Sequence, residues 1–114
     1  MKKFLILIIC LFILPVFASE WITIKNADIT YDKTSITKTF DGVYSVITKA
    51  PANNGLELIT RMSINCDFKR FSFAEYRLFD PMKGKSVYRK MLEPAWDNIP
   101  EDSNLILLYE EVCH

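Results

Sequence analysis

The sequence holds one histidine, His114, and it is the last residue. Nucleophilic catalysis of the Ser/His or Cys/His kind needs an imidazole held inside a site, and terminal residues are usually mobile. A zinc centre wants about four ligands, so His114 beside Cys113 is a poor start for one. Glycine is scarce too: Gly42, Gly55 and Gly84 are the only three, each in a turn context, so there is no phosphate-cradling loop. Charge of one sign is not in excess, with 14 basic against 14 acidic residues, which removes the electrostatic ground for nucleic acid or an anionic membrane surface. No internal repeat, low-complexity tract or Asn-x-Ser/Thr site is present. The densest acidic group, Glu101, Asp102, Glu110 and Glu111, reads as a solvated helix face, because a catalytic pair needs burial in a cleft. The basic doublets Lys69-Arg70 and Arg89-Lys90 read as surface charge, forming a patch only if their strands are neighbours. No catalytic residue, metal site or cofactor site is indicated, and the expectation is a protein that is not an enzyme.

What is present begins with an exported leader. Lys2 and Lys3 precede an unbroken apolar run from Phe4 to Leu14, Pro15 breaks it, and Val16-Phe17-Ala18 ends on a small residue. This is the pattern of a secretory signal, cut between Ala18 and Ser19. The run is short for a membrane span, which usually takes about 20 apolar residues. A lipid anchor is not expected, since Cys10 stands in mid-run behind Leu7-Ile8-Ile9 and leaves with the leader. The mature chain would be one domain, 19–114, of 96 residues carrying 12 basic and 14 acidic side chains, a net −2.

The central stretch is Leu56 to Phe68. Leu56, Leu58, Met62, Ile64, Cys66 and Phe68 alternate with Glu57, Arg61, Ser63, Asn65 and Asp67, with slips at Ile59 and Thr60. A period of two over this length predicts a strand with one face on a core. Shorter strands are predicted at Trp21–Lys25, Ile29–Phe40 with a break near Lys33, Val43–Thr48, Phe71–Phe79 and Lys85–Leu92. Asp41-Gly42, Asn54-Gly55 and the Asp80 to Gly84 stretch supply the turns. Short connections favour an antiparallel meander of about six strands.

The last element is predicted as a helix, roughly Asp102 to Cys113, with Asp102 or Ser103 as its cap. Leu105, Leu108, Tyr109 and Val112 recur at helical spacing, with Glu110 and Glu111 outward. So short a helix is marginal alone and needs the sheet. After export two cysteines remain, an even count in an oxidising compartment, and a Cys66–Cys113 disulfide would tie the helix end to the central strand. Closing a loop of about 48 residues contributes up to about 4 kcal/mol on the chain-entropy view. The fold class expected is therefore α+β, an antiparallel sheet with a C-terminal helix strapped to one face. The aromatic residues are read mostly as core, with some as exposed contact anchors.

The tail Trp96-Asp97-Asn98-Ile99-Pro100-Glu101-Asp102-Ser103, followed by Leu107-Leu108-Tyr109 and Val112-Cys113, resembles the end of the bacterial surface-adhesin protein E family. Other pieces fall in the same order: Trp21 at the start of the mature part, Tyr31-Asp32 with Ser35-Ile36, Asn65-Cys66, then Tyr76 and Gly84. The likeness runs over nearly all of residues 20–114, with Trp21, Tyr31, Asp32, Trp96, Pro100 and Ser103 as its structural marks. It implies a small antiparallel sheet whose concave face carries the disulfide-strapped helix. It also implies a protein partner, a host extracellular-matrix protein, and allows a homodimer. The lipid-anchor cysteine of a surface lipoprotein is missing, which favours a periplasmic or released protein. An adhesin-like binding module and a periplasmic inhibitor or accessory protein of the envelope are the two functional expectations. For the second, the Ala50 to Gly55 and Asp80 to Gly84 loops are candidate contacts.

Overall fold

The computed structural model describes residues Ser19–Cys113; the expected leader, Ala18 and His114 lie outside the described residues. Among the described residues eight strands precede one helix: β1 Trp21–Thr23, β2 Thr30–Asp32, β3 Thr37–Phe40, β4 Val43–Pro51, β5 Glu57–Asn65, β6 Arg70–Asp80, β7 Lys85–Met91, β8 Asp97–Asn98 and α1 Leu105–Val112. All the pairings are antiparallel, and the long path runs β1-β2-β4-β5-β6-β7. The predicted architecture is therefore the observed one: a sheet built almost as a meander, one C-terminal helix, and a Cys66–Cys113 disulfide.

The additional strands come from breaks that the side chains mend. The stretch read as one interrupted strand, Ile29–Phe40, is β2 and β3 joined by a single tight turn at Lys33–Ser35. Asp32 caps that turn by accepting from the Thr34 amide. Both halves lie end to end on the same edge of β4, β3 on Val43 to Ser45 and β2 on Thr48 and Lys49. Between them Ile47 would lose its ladder partner, and the Ser35 hydroxyl oxygen accepts its N–H at 2.9 Å instead. The far edge of β6 repeats the device. There β7 covers Glu75 to Asp80 and β8 covers Arg70 and Phe71. In the gap Ser72 Oγ accepts the Ala95 amide at 3.0 Å, and Leu92 donates to the Ala74 carbonyl at 2.9 Å.

The central strand ends earlier than the alternation suggests. Beyond Asn65 the chain turns, because the Asn65 side-chain oxygen accepts the amides of both Asp67 and Phe68 at 3.0 Å. Phe68 is thus not on the buried face but in this turn, 73% exposed. The slips at Ile59 and Thr60 change the chemistry and not the register. The even-numbered residues of β5 keep one face throughout, and the irregularity sits opposite, where Ala74 is bulged out of β6.

The core lies at one end of that face. Tyr31, Val46, Met62 and Ile64 from the strands, with Ile24, meet Ile99, Leu108 and Val112 from the C-terminal segment. Leu108 is wholly buried, which alone contributes about 1.5–3 kcal/mol. The helix starts later than predicted, at Leu105, and the residue before it, Asn104, makes no side-chain cap. Neither Asp102 nor Ser103 caps it, because Pro100–Ser103 forms its own turn, in which Ser103 Oγ donates to the Pro100 carbonyl at 2.6 Å. At the other end Cys113 is disulfide-bonded to Cys66 across a Cα–Cα distance of 5.7 Å, ordinary for such a bridge. The Tyr31 hydroxyl donates to Glu111 at 3.2 Å; burial first, then the Glu111 charge, pushes its phenol above the usual range.

Candidate binding face

An eight-residue helix is about 12 Å long, whereas β4, β5 and β6 run nine to eleven residues, about 30 Å or more. The helix therefore roofs only part of its face. Register sets out the rows on that face: Tyr44, Ile64 and Phe71; then Val46, Met62 and Phe73; then Thr48, Thr60, Tyr76 and Lys90; then Ala50, Leu58, Leu78 and Tyr88. The first rows lie under α1 or at its margin, and the face then continues uncovered.

There Leu58, Thr60, Phe73, Tyr76 and Leu92 line an open, apolar hollow of about 360 Å³. Phe73 is 41% exposed and packs edge-on against Phe71, with ring centres 5.3 Å apart. Tyr76 lies 5.9 Å from Tyr88, itself half exposed. The Tyr88 hydroxyl, with burial second, pushes the Tyr76 phenol above its ordinary value. Rigid aromatic side chains with one wet end are the usual anchors of a protein contact. A larger hollow of about 550 Å³ lies by Thr23, Ala27, Asp28, Thr30, Ala50 and Pro51. It offers one carboxylate and no aromatic anchor, so the smaller hollow is the better contact surface.

The opposite face is charged. Glu75 is buried and forms ion pairs with Arg89 and, at 4.0 Å, Arg77, while Arg61 stands directly across from it on β5. Among the described residues no group of three or more His, Cys, Asp or Glu side chains is placed to hold a metal ion, and no helix is long and apolar enough to cross a membrane.

The residues singled out in sequence disperse. Trp21 lies on the edge strand β1 with the Lys49 ammonium 4.4 Å above its ring. Tyr31 and Asp32 are buried on β2, and Asp32 accepts from Glu20 and Thr34. Trp96 is 41% exposed beside β8, and Pro100 and Ser103 form the turn before the helix. The basic doublets do not meet: β7 pairs with the end of β6 away from Arg70, and Lys69 is taken by Glu101 at 3.0 Å. Glu101 and Glu111 serve different partners, so the acidic cluster is no pair. Of the candidate loops, Ala50 and Pro51 belong to β4, and the Asp80 to Gly84 turn is held by Asp80 accepting the Met82 and Lys83 amides. Sequence reasoning left the lining of the hollow among core residues. The signal that exposes it is length: strands this long outrun so short a helix.

Comparison with protein-family models, with curated proteins and with solved structures finds no match to this chain.

Proposed function

We propose that the chain is an exported, non-enzymatic protein-binding module of the bacterial envelope, adhesin-like in the sense of the family it resembles. It holds its partner on the uncovered end of the helix-bearing face. The observation that carries this reading is the apolar hollow lined by Leu58, Phe73, Tyr76 and Leu92, an unroofed continuation of the core. The disulfide agrees with an oxidising compartment, periplasmic or extracellular. Phe73→Asp places a charge in the hollow without touching the buried cluster. Solid-phase binding to laminin or vitronectin is expected above an unrelated secreted control, and the variant is expected to lose it while keeping its circular dichroism. A signal no higher than the control, or one indifferent to Phe73→Asp, refutes the reading.

A second reading, a periplasmic inhibitor or accessory protein, is favoured by the position of Cys10 in mid-run, where a lipid anchor is not expected. Fractionation with detection of the mature N-terminus at Ser19, followed by pull-down from periplasm and an activity assay on what is captured, decides between them.

A further inference from the structure

The sheet ends at β7, and all seven of its residues, Lys85–Met91, are exposed. The direction of its backbone groups follows from one bond. Leu92 donates to the Ala74 carbonyl just outside the Glu75/Met91 pair, which makes that pair, and Arg77/Arg89 two steps on, the non-hydrogen-bonded kind. The N–H and C=O groups of Met91 and Arg89 therefore point away from β6, into solvent. Such an edge is a template for another strand.

Its charge selects the partner. From Arg70 to Met91 the hairpin carries six basic residues, Arg70, Arg77, Lys83, Lys85, Arg89 and Lys90, against Glu75 and Asp80, a net +4. The rest of residues 19–113 carries six basic and twelve acidic, a net −6. Both hairpin acids are occupied, Glu75 by guanidinium groups and Asp80 by the amides of its turn. Arg77 and Arg89 stand directly opposite each other where cross-strand side chains come closest, a destabilising like-charge placement. One carboxylate serves them, Arg61 stands across from it on β5, and the buried Nε atoms of Arg61 and Arg77 have no hydrogen-bond partner. A second copy does not suit this edge: antiparallel self-pairing would bring Lys85, Arg89 and Lys90 of each chain together.

We infer that β7 is the docking edge for an extended, acidic segment of another protein, which joins the sheet as a further antiparallel or parallel strand. Its carboxylates on one face fall beside Arg89, with Arg77 one strand further in. Its alternate side chains fall beside Tyr88 on the other, where Lys85 and Lys90 flank the ring. Main-chain bonds give the affinity and the partner's negative charge, met by basic side chains on both faces of β7, gives the specificity. The inference rests on the reading of the chain as a protein-binding module, but it uses the edge and not the floor of the hollow.

The test is fluorescence anisotropy with the disulfide-bonded protein and a labelled peptide alternating glutamate with valine and tyrosine. It is expected to bind about tenfold or more tightly than the same peptide with lysine for glutamate, and to weaken with added salt. Methylating the peptide's backbone amides is expected to abolish binding with the protein untouched. Met91→Pro removes an outward N–H while leaving the β6 ladder intact, and is expected to weaken binding about tenfold; proline is tolerated at such edge positions. Equal affinity for both peptides, indifference to amide methylation, equal binding of an oligonucleotide of like charge, or a dimer of the protein that Met91→Pro dissociates overturns the inference. If Phe73→Asp abolishes matrix-protein binding while the acidic peptide shows no preference, the hollow stands and the edge falls. If the peptide binds as expected and Phe73→Asp is silent, the edge stands and the hollow falls.

Discussion

The Tyr109 hydroxyl donates a hydrogen bond to the carbonyl oxygen of Cys66 at 2.9 Å, and the sulfur of that same Cys66 is bonded to Cys113. One residue just beyond β5 thus receives both the polar and the covalent hold on the helix. Tyr109→Phe removes only the first. It is expected to lower stability by about 0.5–1.5 kcal/mol, measured by urea unfolding, with the disulfide intact.

Replacing both cysteines removes the second. Cys66→Ser with Cys113→Ser is expected to cost about 2–4 kcal/mol. Because Leu108 and Val112 of the helix are core residues, detachment of α1 uncovers the Val46, Met62 and Ile64 surface. Binding of a hydrophobic dye is therefore expected to rise in the double variant at denaturant concentrations where the native protein binds none.

Asp32 links the first turn to the sheet. Burial acts to raise its carboxyl, but hydrogen bonds from the Thr34 hydroxyl, the Glu20 and Thr34 amides and the Ser19 side chain prevail, and the group lies below its ordinary value. A carboxyl lowered by folding adds stability above its unfolded value of about 3.9, and that stability is lost as pH falls through the lower folded value. Asp32→Asn is expected to be less stable than the parent at neutral pH, with the difference shrinking in acid. An unfolding series in pH checks the convergence.

Glu75 is the one carboxylate among three guanidiniums, and Glu75→Gln leaves Arg77 and Arg89 opposed without it. A loss of about 1–2 kcal/mol is expected, kept moderate because Arg89 is largely solvent-exposed and screened. Added salt is expected to restore part of it, as thermal melts at low and high ionic strength will show.

Gly42 turns the chain between β3 and β4 at φ +75°, and a Cβ there meets the exposed Asp67 carboxylate, which can swing aside. The backbone cost remains, so Gly42→Ala is expected to destabilise by about 1–2 kcal/mol. Pairing Gly42→Ala with Asp67→Ala is expected to recover little of it.

What the sequence alone determined were the features written in local order: alternation in β5, turn chemistry at Asp41-Gly42 and Asp80 to Gly84, helical spacing of Leu105, Leu108 and Val112, and two cysteines left to pair. Each follows from a period or a dihedral preference that neighbouring residues impose on one another. Element ends were less legible. Asn65 stopped β5 before Phe68 through its own side chain, and Ser103 was drawn into the Pro100 turn instead of capping the helix. Only the tertiary structure decided which aromatic residues stay uncovered. Phe73 shares the alternation of Phe71, and the bulge at Ala74 brings Tyr76 to the same face, yet Phe71 packs against the core cluster while they line an open hollow, because the helix is shorter than the strands beneath it. The placement of Arg77 against Arg89 was equally invisible, since it depends on the register of β6 against β7 across a bulge and not on either strand alone.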